Sequence, residues 1–69
     1  MNSIIRKAKQ FWRDNYSDEF GYVTEKIERL DSLHEDEAWV AYNMFDFKNQ
    51  SKFKELLTEE EIEWLNNNL

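Results

Sequence analysis

One glycine and no proline in 69 residues leave this chain few means of breaking a helix. Those two residue types are the strongest local punctuators of structure. A chain nearly free of them is most economically built as helices joined by brief polar links. There is no cysteine either, so neither a disulfide framework nor a thiolate zinc site is available, and the fold must depend on packing alone. That absence fits a reducing, cytoplasmic setting. The apolar share is 41%, and five Phe, three Trp and three Tyr supply much of it. The expected fold is therefore all-α: a single small domain over residues 1–69, with three to four short helices around an aromatic-rich core. A membrane-spanning helix needs about 18 or more consecutive apolar residues, and no run here approaches that length.

Helical stretches are expected at about residues 3–15, 24–31, 33–47, 52–57 and 58–66. In the first, Ile4, Ile5, Ala8, Phe11, Trp12 and Tyr16 recur at the spacing of one helical face, with Arg6, Lys7, Lys9 and Arg13 opposite them. Asn2 or Ser3 can cap it. Phe20, Val23, Ile27, Leu30 and His34 then repeat at steps of three and four. An interior Gly costs about 1 kcal/mol relative to Ala, so the second helix is expected to start after Gly21, at Thr24, rather than at Ser17.

Ser32 and Glu35 stand at capping-box spacing, and Glu35, Asp36 and Glu37 suit the positive end of a third helix reaching Phe47. Eight of the ten residues 38–47 are apolar, so that helix would be apolar around nearly its whole circumference. Such a helix is either wrapped by its neighbours or carries a surface for a partner. The stretch could also be read as a buried strand; two Ala, Met44 and the capping box favour helix. Lys48, Asn49 and Gln50 read as a link to a short piece with Phe53, Leu56 and Leu57 on one side. Thr58 and Glu61 form a second capping box, Leu57 and Ile62 stand at hydrophobic-staple positions, and Ile62, Leu65 and Leu69 continue one face.

The net charge of −6 is unevenly spread. Residues 1–16 carry four cations against Asp14, which is +3; residues 17–47 carry nine carboxylates against Lys26 and Arg29, which is −7; residues 48–69 sum to −2. An acidic middle repels duplex phosphates, so nucleic acid is not the expected direct partner, and a basic protein fits better. Membrane attachment through the basic face of the first helix is disfavoured, because that face can pair with the acidic middle of the same domain.

Chemistry is sparsely supplied. Asp31 and His34 have the separation of a carboxylate-bridged metal element, but such a site needs a second copy of it, and His34 is the only histidine. Asp14, Asp18 and Glu25 fall at positions one, five and twelve of a calcium loop, yet Tyr16 stands at the third and Glu19 at the sixth, where Gly is required. A nucleophile with its base and orienting group cannot be assembled from this inventory, and the lone Gly21 makes no phosphate loop. No enzyme activity, cofactor or metal is expected.

What remains is binding. The expectation is a small acidic interaction module that inhibits or adapts one macromolecular partner, of the kind that phage and mobile elements encode. Trp39, Val40, Met44 and Phe47 would form the contact face, with Glu35, Asp36 and Glu37 beside it. The alternatives are a nucleic-acid mimic occupying a basic cleft of a host protein, and a self-associating protein, such as a homodimer, that covers the same face. One carboxylate per helical turn gives a charge every ~5.4 Å against ~1.7 Å along duplex DNA, so mimicry would need several helices acting together.

Overall fold

The structure, a computed structural model, describes residues 3–69; the proposed cap at Asn2 lies outside them. Every regular element among the described residues is helical. Five α-helices lie among the described residues: α1 (Ile4–Asn15), α2 (Tyr22–Asp31), α3 (Ala38–Asn43), α4 (Phe47–Lys54) and α5 (Glu59–Asn68). Two short 3₁₀ turns, Glu19–Gly21 and Glu35–Glu37, lead into α2 and α3. The helix number thus exceeds the expected three to four.

The periodic face of α1 is the inner wall of the core, where Ile4, Ala8, Phe11 and Trp12 are buried. The helix ends where Tyr16 turns extended and the Asn15 amide folds back to donate to the Phe11 carbonyl at 3.0 Å, satisfying one of the last-turn acceptors. Ser3 occupies the N-cap position, but its hydroxyl does not cap the helix; it donates to Glu61, 58 residues away.

The second helix begins at Tyr22, two residues before the expected start, with Gly21 just outside it in the left-handed region at φ +74°. Gly takes that conformation at no steric cost. The cap comes from further back: Asp18 accepts the Thr24 N–H at 2.9 Å and the Thr24 hydroxyl at 2.8 Å.

The largest departure concerns residues 33–47, expected as one helix. The stretch is divided. It opens with the 3₁₀ turn, where the capping contact is Glu37 Oε1 accepting the His34 N–H at 2.9 Å, two residues later than the expected Ser32 and Glu35 pair. The Ser32 hydroxyl instead donates back to the Arg29 carbonyl. It closes at Asn43, after which the Met44 N–H is shared between the Val40 and Ala41 carbonyls and the chain bends. Asp46 then adopts an extended conformation and accepts the Asn49 N–H at 2.9 Å, opening α4. Lys48, Asn49 and Gln50, expected as a link, therefore lie inside α4, and the Gln50 side chain donates at 3.2 Å to the Tyr42 carbonyl, which also accepts the Phe45 N–H. The bend lets Phe45 turn inward.

Phe45 joins the aromatic centre of the core. It stacks on Trp12 at 5.2 Å between ring centroids and meets Phe11 edge-on at 5.0 Å, while Phe53 of α4 closes on Phe45 at 5.1 Å. Val23, Leu30, Ala38, Ala41, Leu57 and Leu65 complete the buried set around these rings. Offset and edge-to-face pairs of this kind contribute about 0.5–1.5 kcal/mol each beyond the area they bury. The Trp12 Nε1–H, on a side chain only 2% exposed, finds no acceptor among the described residues. At the start of α5 Thr58 accepts the Glu61 N–H, Glu61 accepts the Thr58 N–H, and Leu57 and Ile62 are buried and half-buried, as the capping box and staple require; Leu65 is buried, but Leu69, expected on the same face, lies past the helix end and is exposed.

Candidate functional site

The residues expected to form a contact face do not share one helix. Trp39 and Val40 lie on α3, with Trp39 37% exposed and Val40 half-buried. Met44 follows the end of α3 and packs, partly buried, against the core. Phe47 lies beyond the bend as the first residue of α4, where it is 85% exposed. The bend made for Phe45 thus carries Phe47 out of the third helix and leaves its ring in water. Glu35, Asp36 and Glu37 do sit together, in the 3₁₀ turn before α3, with the first two exposed and Glu37 held by its contact to His34.

An aromatic residue missed by the periodicity stands out more than any of these. The repeat puts Phe20 at the head of the inward-facing series of the second helix, but its side chain is fully exposed. It lies in the turn before α2, with left-handed backbone angles of φ 56° and ψ 27°. A bulky residue is rare there, because its Cβ crowds the backbone at a cost of about 1–2 kcal/mol. The Asp18 carboxylate, bonded twice to Thr24, and the Gly21 N–H donating to the Asp18 carbonyl at 3.3 Å hold the turn in this shape. Asp18 is kept below the usual carboxylate range, first by the Thr24 N–H and then by its hydroxyl.

Between the exposed rings of the turn and the start of α4 runs a connected polar and aromatic link. Tyr22, partly exposed, has its ring centroid 6.4 Å from that of Tyr16, and Lys26 holds its ammonium 5.2 Å from the Tyr22 ring. The Tyr16 hydroxyl accepts from the Asn49 side chain at 2.6 Å, and that amide also reaches Asp46 at 3.3 Å. Burial of the Tyr16 phenol, with the charge of Asp46 nearby, pushes its pKa up.

Three of the carboxylates weighed for metal chemistry have other contacts. Asp31 pairs with Lys9 at 2.7 Å, Asp14 accepts from Gln10, and Asp18 is engaged by Thr24. Among the described residues no three His, Asp or Glu side chains gather as a metal ion would require. No helix among them is long and apolar enough to cross a membrane.

The one charged side chain buried among the described residues lies at the opposite end of α1 from the Phe20 turn. Glu61, 5% exposed, accepts the Ser3 N–H at 2.9 Å, the Ser3 hydroxyl at 2.8 Å, the Lys7 ammonium at 2.6 Å and the Thr58 N–H at 2.9 Å. Burial pushes its carboxyl pKa up, but the Lys7 ammonium and the Thr58 and Ser3 donors outweigh this and bring it to about 2. One carboxylate therefore serves the N-termini of both α1 and α5. No protein-family model, curated protein or solved structure matches this chain.

Proposed function

We propose that this chain is a small acidic interaction module that docks on one macromolecular partner, using the exposed apolar side chains of α3 and the start of α4. The observation that carries this reading is the exposure of Phe47 and Trp39 in a chain that buries Phe45 and Phe53 close by in sequence. The largely exposed Phe47 forgoes about 1.5–3 kcal/mol of burial free energy, which a partner can supply, and Trp39, a little over a third exposed, forgoes a smaller share. Trp is also among the side chains that dominate binding hot spots. Glu35 and Asp36 stand exposed just before α3 and would favour a partner with basic groups around its apolar site.

The test is capture of partners by the tagged full chain from lysate of the cells that encode it, at low and high salt, with W39D and F47D in parallel. A single stoichiometric partner retained at high salt by the native chain, and lost by either variant while far-ultraviolet dichroism stays helical, supports the reading. Retention by the folded variants overturns it. A nucleic-acid-binding partner that is lost at high salt and displaced by DNA would favour mimicry instead.

A further inference from the structure

The Phe20 turn is the feature of the surface that folding explains least. Its ring touches nothing that would hold it, its backbone adopts a costly conformation, and the Asp18 to Thr24 contacts fix that conformation. A ring presented on a fixed turn loses little freedom on binding. Four carboxylates, Asp14, Asp18, Glu19 and Glu25, lie within six residues of it with no cation between them in sequence, and Glu19 and Glu25 are exposed and form no ion pair among the described residues. Arg13 and Lys26 flank that stretch, and the Lys26 ammonium lies over the Tyr22 ring.

We propose that Phe20 is an anchor that inserts into an apolar pocket rimmed by Lys or Arg side chains on a protein partner, with Glu19 and Glu25 meeting that rim. The inference rests on the reading of the chain as an interaction module and adds a second contact point to it. Charge selects this occupant. A second copy brings a further net −6, and nucleic acid or an anionic membrane is repelled by the same carboxylates. A cationic rim around an apolar pocket matches both parts of the turn.

The test places the photoreactive residue p-benzoylphenylalanine at position 20 of the full chain in the cells that encode it, and at position 56, an exposed leucine elsewhere, as control. Irradiation should give one protein adduct from position 20 and none of it from position 56, with the linkage mapped by mass spectrometry to an apolar pocket bordered by Lys or Arg. The purified partner should then bind F20A at least about tenfold more weakly than the native chain, and E19Q/E25Q should bind more weakly with a shallower salt dependence. Absence of an adduct, an adduct to a second copy, to lipid or to nucleic acid, or a linkage in a pocket without basic groups overturns the proposal. If W39D abolishes capture while F20A binds the same partner normally, the anchor fails and the interaction module stands. If no variant and no native chain retains a protein, both fail.

Discussion

At its N-terminal end α1 is tied to the rest of the molecule by one buried carboxylate, whereas beyond its C-terminal end the chain turns so as to hold a phenylalanine in water. The first end has its polar groups matched: Glu61 takes donors from Ser3, Lys7 and Thr58, and Ile4 beside it is fully buried. The second spends backbone strain on Phe20 and leaves its ring uncovered. Strain and exposure of this kind persist only where surrounding contacts enforce them, and they concentrate at functional sites. The contrast separates side chains that hold this small fold together from side chains that folding does not need.

If that separation is real, substitutions should lose effect on stability from the first end to the second. Glu61→Ala strands the Lys7 ammonium and the Ser3 and Thr58 donors, and should lower unfolding free energy by about 2–4 kcal/mol, read by urea titration. For a domain of this size each kcal/mol shifts the thermal midpoint by about 4–8 °C, so the loss should be plain by calorimetry too. A change within about 0.5 kcal/mol would mean that the carboxylate clamp is not what secures this end.

The same group sets the acid response. Its folded-state pKa of about 2 lies below the ordinary 4.5, so its contribution is full well above 4.5 and is lost as the pH falls toward 2. Asp18 is shifted in the same direction by Thr24 and adds to the trend. Thermal midpoints measured from neutral pH down to about pH 2 should fall across that window, and Glu61→Gln should flatten most of the fall. An unchanged slope in the Gln variant would assign acid sensitivity to other carboxylates.

Asp46→Ala removes the cap that opens α4 beyond the bend and should cost about 1 kcal/mol. Phe20→Gly should go the other way. It relieves about 1–2 kcal/mol of left-handed strain and gives back about 0.5–1 kcal/mol through the freer unfolded chain, for a net gain of about 0.5–1 kcal/mol in chemical denaturation. A loss of stability would show that the Phe20 ring contributes to the fold. Phe47→Asp should change stability least, within about 0.5 kcal/mol, since an acid suits the first turn of a helix.

The parts of this fold legible in the sequence are those signalled by local chemistry. The face of α1 follows from spacing, and the start of α5 follows from Thr58 and Glu61 standing three apart. What was not legible depends on competition between local and distant demands. Asp46 carries a cap, but Asn49 rather than Glu or Gln stands three residues later, so no capping box marked the bend within residues 33–47. The bend is fixed by burial of Phe45 against Trp12, a contact 33 residues apart in sequence. Phe20 continued the repeat of Val23, Ile27 and Leu30, and only the neighbouring Gly21 hinted that the helix had not yet begun. The double role of Glu61 was hidden for a similar reason: its capping function was visible, and its reach to Ser3 and Lys7 was not.

Of the residues expected to contact a partner, Trp39 and Phe47 are the apolar ones the structure leaves most exposed, while Met44 also serves the core. The role of Phe47 is therefore read most directly by a paired measurement on the full chain carrying Phe47→Asp: urea unfolding and retention of the captured partner, side by side with the native chain. The unfolding midpoint should be unchanged and the partner lost. A variant that is equally stable and keeps its partner, or one that unfolds, would contradict the claim that this exposed ring serves binding rather than folding.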